Sequence, residues 1–109
     1  MTQITYDRLE LKVTIEGHAK HDEIGKDIVC AGITSLTYTL AMYVDKLNRF
    51  GKTLFVPNIR LDGGDAEISV VVEGGYEHEV RRVFDVICDG YELIANTYPD
   101  NVRYHTVYH

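Results

Sequence analysis

Leu9-Glu10-Leu11-Lys12-Val13-Thr14-Ile15-Glu16-Gly17-His18, read on to Ile28-Val29-Cys30-Ala31-Gly32-Ile33, contains a change of hydrophobic period that decides the fold. Leu9, Leu11, Val13 and Ile15 alternate with Glu10, Lys12, Thr14 and Glu16. A period of two predicts a half-buried strand. Gly17 ends it and permits a sharp change of direction. From Ile28 the period lengthens: Ile33, Leu36, Leu40, Val44 and Leu47 recur every three or four residues. This predicts an amphipathic helix to about Arg49, with Gly51 as its stop. Asp27 stands just ahead of that pattern, where an N-cap carboxylate accepts the free amides of the first turn, so Cys30 becomes the third helical residue.

The same two periods organise the rest of the chain. Ile4 and Tyr6 form a short strand before Asp7-Arg8 turns the chain. Residues 52–61 have strand composition interrupted by Pro57-Asn58, which argues for an edge strand or a bulge. Leu61-Asp62-Gly63-Gly64-Asp65 is a turn signal, and residues 66–73 place Ile68, Val70 and Val72 on one face, making a hairpin with the preceding strand. Val80, Val83, Phe84, Ile87, Tyr91 and Ile94 follow helical spacing over about residues 76–95, and Pro99 prevents continuation. Residues 102–107 read as a last strand. The order strand, strand, helix, strand, strand, helix, strand predicts an α+β two-layer sandwich, with two helices packed on one face of a mixed, mostly antiparallel sheet of four to five strands. At 109 residues it is expected to be a single domain, 1–109.

Hydrophobic residues are 45% and charged residues 26% of the chain, values typical of a soluble globular protein rather than a disordered one. The net charge of −6 comes with no basic run, which disfavours direct nucleic-acid binding and suits a basic partner. Residues 1–6 lack a signal-peptide pattern and no apolar run reaches the length of a membrane span, so the expectation is a cytoplasmic protein with no membrane association. Cys30 and Cys88 are too few for a disulfide scaffold, and cytoplasmic thiols stay reduced. Eight tyrosines suit a partly wet interface between two copies.

Twelve positions separate His18 from Cys30. A thiol becomes a good nucleophile on losing its proton, which the positive end of a helix and a neighbouring imidazole both favour. Cys30 has the first by position, and His18 supplies the second if the intervening segment folds back. His18 can then also protonate a leaving amine. Residue types alone leave the blander alternatives open: a cysteine as a small apolar residue, and a histidine as surface decoration. His18, His21, Asp22 and Glu23 lack a second ligand pair at matching distance, so no metal and no cofactor is expected. Cys88, beside Phe84 and Tyr91, reads as core.

Gly17-His18-Ala19, then Gly25-Lys26-Asp27-Ile28-Val29-Cys30-Ala31, then Leu36, resemble the motifs of the ribosomal-processing cysteine protease family, Prp. The resemblance implies a compact α/β homodimer in the cytoplasm of Firmicutes and related bacteria. It also implies removal of a short N-terminal extension from large-subunit ribosomal protein L-twenty-seven, a basic peptide substrate. His18 matches the catalytic histidine and Cys30 the nucleophile. Asp27 matches the acidic residue of the second motif, which caps the helix or orients an imidazole. Gly17 and Gly25 bound the loop over the substrate. Gly32 and Thr34 depart from the alanine and serine of many members, and residues 20–24 are more charged than expected, which bears on substrate preference. Alternatives implied alongside are a phage-type relative processing a virion protein and a non-catalytic dimeric module gripping a basic peptide. The presence of both His18 and Cys30 favours the enzyme. A redox sensor needs a resolving cysteine, and Cys88 is expected on another element.

Overall fold

A computed structural model describes residues 1–17, 26–62 and 64–108, with the side chains of Lys26 and Asp27 outside that description. Five strands and two helices follow in chain order: β1 (Thr2–Asp7), β2 (Lys12–Glu16), α1 (Lys26–Arg49), β3 (Asn58–Asp62), β4 (Asp65–Ser69), α2 (Glu77–Thr97) and β5 (Val102–Val107). The strands form one sheet in the order β3-β4-β2-β1-β5. Only β1 and β5 run parallel; the other three pairings are antiparallel. This is the expected mixed sheet, and β3 with Pro57 ahead of it is an edge strand, where proline removes no interior ladder bond.

Both helices cover the face carrying Ile4, Tyr6, Val13, Ile15, Ala66, Ile68 and Val102, all buried. Val29, Ile33, Leu40, Val44 and Leu47 of α1 and Val80, Phe84, Cys88 and Tyr91 of α2 complete the core. Two glycines let the helices approach. A side chain at Gly90 would meet both methyls of Leu36 at 2.9 Å, and one at Gly32 would meet Ile94 Cδ1 at 3.0 Å. Glycine at position 32 therefore fits the ridge that Ile94 presents. By length and composition the 22 residues Ile28–Arg49 would pass for a membrane span, contrary to the reading of the sequence. Here that helix lays its apolar face on the sheet and α2.

The helix stop is as expected and its chemistry is explicit. Gly51 has φ +73°, Lys52 N–H donates to the Leu47 carbonyl at 2.9 Å and Gly51 N–H to the Asn48 carbonyl at 3.1 Å. These are the two bonds of a Schellman motif.

The hairpin is shorter than expected: β3 forms only after Pro57 and β4 ends at Ser69, with Thr53 and Val72 joined by an isolated bridge. Two further expectations need correction. Leu9 does not join the buried face of β2: the strand starts at Lys12, and Leu9 is 60% exposed. The Asp7 carboxylate accepts the Glu10 N–H, and Arg81 from α2 donates to the Arg8 and Leu9 carbonyls, so this segment is held as a turn. Leu11 closes that turn at φ +52° and is still buried. The second correction is the start of α1 at Lys26. Asp27 stands inside the first turn rather than ahead of it, and Cys30 is the fifth helical residue.

Candidate active site

α1 lies over the sheet so that its N-terminal half overhangs the ends of β2, β3 and β4, leaving a cleft of about 560 Å³. One wall is a single helical stripe. Cys30, Thr34 and Tyr38 are spaced by four residues and lie one above the other, with Ile33 and Thr37 beside them deeper in. Ile15 and Ala66 contribute from the sheet, and Leu61, Asp62, Gly64 and Asp65 of the β3–β4 hairpin form the opposite wall. Thr2 and Gly17 also line it. The Cys30 side chain is exposed and reduced, open to this cleft.

Gly17 is built into the structure. Its φ of +111° is a region that side-chain-bearing residues rarely adopt. An added Cβ would collide with the Met1 carbonyl and stand 3.3 Å from Thr2 Cα. The first residues of β1 thus pass directly against the residue that precedes His18, and only glycine leaves room for both.

Below the cleft, Thr37 locks α1 onto α2. Its hydroxyl donates to the Ile33 carbonyl at 2.7 Å and lies 2.8 Å from the Tyr91 hydroxyl. A hydroxyl has one proton, so Thr37, having given its own to Ile33, must accept from Tyr91. Burial holds the Tyr91 phenol protonated, well above its ordinary pKa.

On the far side of the sheet's helical face, Asp85 takes two hydrogen bonds from Arg8, at 3.0 Å each, and one from Tyr6 at 2.8 Å. Desolvation pushes the Asp85 carboxyl up, but the bonds from Arg8 and Tyr6 outweigh it and hold it below the usual carboxylate range. Cys88 is buried nearby, its thiol pushed up to about 12 by loss of solvent, with the Tyr104 hydrogen bond acting the other way. A neutral, inaccessible thiol belongs to the core, as its helical position suggested.

Of the residues singled out from sequence, the structure brings Gly17 and Cys30 to one cleft. His18 and Gly25 lie outside the described residues, as does the Asp27 side chain, and so do His21, Asp22 and Glu23. Thr37, Tyr38 and Leu61 were not picked out as site residues. The spacing from Cys30 to Tyr38 carried the signal for the helical wall. Asp62 and Asp65 had been read only as turn residues.

The family model for cysteine protease Prp matches residues 1–103. The ribosomal processing cysteine protease Prp of Mycoplasma genitalium is 33% identical over 88 residues, covering 80% of this chain and 79% of that protein. A crystal structure of the essential ribosomal processing protease Prp from S. aureus, with a covalently linked product peptide, aligns with a TM-score of 0.68 at 25% identity and covers 97% of both chains. Another structure of the S. aureus protease, with a substrate peptide, gives a TM-score of 0.70 at 24% identity over 98% of this chain and all of that one, a likeness of fold.

Proposed function

This chain belongs to the cysteine protease Prp family and is a cysteine-type endopeptidase, and from that premise we propose that it matures large-subunit ribosomal protein L-twenty-seven through a Cys30–His18 mechanism. The observation that carries the reading is Cys30 exposed on the wall of a cleft whose lining includes Gly17, the residue before His18. His18 takes the thiol proton as Cys30 Sγ bonds to the scissile carbonyl carbon. The amides of the first turn of α1 are the donors this mechanism assigns to the oxyanion. Collapse breaks the C–N bond, and the proton on His18 passes to the leaving amine. Water, deprotonated by His18, then attacks the thioester and frees the acid and the thiol.

The substrate assignment is supported by the ribosomal-processing relatives and by the acidic balance of the chain, net −6, against a basic target. The location we propose is the cytoplasm, in keeping with two free cysteines. A homodimer is the proposed assembly, supported by apolar side chains left open on and after α1: Tyr38, Met42, Leu54, Phe55 and Val56 are each more than half exposed.

The test is incubation with full-length L-twenty-seven from the same source. The unmutated protein is expected to release the N-terminal extension, and folded Cys30→Ala and His18→Ala variants to leave it intact. An untouched substrate beside the folded, unmutated enzyme would overturn the ribosomal assignment and turn attention to a virion protein or to peptide binding without cleavage. Sedimentation of the same sample decides the dimer.

A further inference from the structure

Two large apolar side chains in the cleft are used by no other part of the fold. Tyr38 is 56% exposed and Leu61 39% exposed. Ile15, Ile33 and Ala66 also line the cleft but are core residues, whereas Tyr38 and Leu61 lie outside the core and outside the side chains packed against it. Among the described residues, Tyr38 is neither hydrogen-bonded nor stacked on another ring. One stands on α1 and the other on β3, on opposite walls of the same cleft.

Among the described residues, no charged side chain faces the space between them. Asp62 and Asp65 border the cleft and are cross-strand partners, and Asp65 adjoins Ala66, which is buried against the helices. Alternation therefore turns both carboxylates to the opposite face of the sheet. Leu61 is paired with Ala66 and keeps its side chain on the Cys30 side. Along this stretch the cleft offers a substrate apolar contact, whatever the charge of the rest of the peptide. Tyr38 follows Cys30 by eight residues on one helical stripe, a span of about 12 Å. An extended peptide advances about 3.3 Å per residue, so the span covers roughly three to four residues of a bound chain.

We infer that Tyr38 and Leu61 form a specificity subsite for an apolar side chain three to four residues from the scissile bond. This rests on the peptidase reading above. The occupant is the substrate itself, because the subsite is continuous with the space in front of Cys30. Met42 and residues 54–56 do not line that space and remain for the second copy. A leucine-sized group closed between the ring and the branched chain removes apolar surface of all three from water. A carboxylate there loses its solvent and gains no partner.

A proteome-derived peptide library, cut by the full chain and read by mass spectrometry, supplies cleavage sites without presupposing the ribosomal substrate. Apolar residues are expected to be enriched at the third or fourth position on one side of the cut bond. A synthetic peptide built on the best site then carries leucine, alanine or aspartate at that position. Leucine is expected to exceed alanine by about ten-fold in kcat/KM, the lower end for an apolar group in a pocket, and aspartate to fall below alanine. In Tyr38→Ala and in Leu61→Ser the leucine advantage drops to about two-fold. Both side chains are exposed, so the variants fold. Tyr38→Ala also widens the subsite and is expected to favour tryptophan over leucine, the reverse of the unmutated order. Absence of enrichment at those positions, or a leucine advantage that persists in both variants, overturns the inference while leaving the peptidase standing. A Tyr38→Ala variant that changes sedimentation but not preference gives the ring to the dimer and equally overturns it. No cut in any peptide overturns both readings.

Discussion

Replacing Thr37 by valine and Tyr91 by phenylalanine, separately and together, tests the hydrogen-bond direction assigned beneath the cleft. Tyr91 is wholly buried and Thr37 is 4% exposed, so neither hydroxyl can turn to water. In Tyr91→Phe, Thr37 still donates to Ile33, and one accepted bond is lost, at about 1 kcal/mol. In Thr37→Val, the Ile33 carbonyl retains its helical amide, but the Tyr91 proton has no acceptor. A stranded buried donor costs about 2 kcal/mol. The double variant strands nothing and is expected to cost about 1 kcal/mol, less than Thr37→Val alone. The singles therefore overestimate the double by about 2 kcal/mol, inside the range seen for residues in direct contact. The assay is urea unfolding followed by circular dichroism, with the cycle closed on all four proteins. For a domain this size, Thr37→Val lowers the melting temperature by about 8 °C or more. Equal costs for the two singles, adding in the double, would refute the assignment of Tyr91 as donor.

Gly17→Ala combines a disfavoured φ with a collision against the first residues of β1, and is expected to cost about 2 kcal/mol and to reduce peptide cleavage sharply, measured by unfolding and by turnover. Asp85 has a lowered folded pKa, so its contribution is complete above the ordinary carboxylate range and is lost as pH falls through the lowered value. Unfolding midpoints from neutral to strongly acid pH should therefore drop less steeply in Asp85→Asn, which begins less stable. Iodoacetamide in mildly alkaline buffer should modify Cys30 alone in the native protein and Cys88 only after denaturation, as read by peptide mass, because one thiol is exposed and the other is buried and held neutral. Ala at position 32 gains up to about 1 kcal/mol of helix propensity against a contact with the mobile end of Ile94, so Gly32→Ala should change the melting temperature little, whereas Gly90→Ala, wedged against both Leu36 methyls, should lower it.

What the residues revealed before any coordinates depended on how local each signal is. β5 matches its expected span because alternation, Pro99 before it and Val102 at its start all act within a few residues. The end of α1 was legible because Gly51 alone supplies the left-handed residue that the stop needs. Leu9 misled because alternation continues into a turn whose shape is set by Arg81, some 70 residues away. The cleft was half legible. Cys30 and Gly17 are marked by their neighbours, but Leu61, Asp62 and Asp65 become its opposite wall only through the pairing of β4 with β2. No local pattern encodes that pairing. The tight passage of Met1 and Thr2 against Gly17 was equally hidden, being a contact between strands rather than a property of either.

The two walls of the cleft differ in how deeply they are rooted. α1 carries Cys30 on a helix whose other face supplies six of the twenty buried core residues, so the backbone of that wall cannot shift without disturbing the core. The hairpin wall hangs from β4 by one edge strand, with four of the five residues of β3 exposed. Mutations accumulate at very different cost on the two sides. The wall that faces Cys30 can therefore change shape at little expense to the fold while Cys30 stays where the core holds it, so the outline of the cleft and the position of its thiol are physically separable.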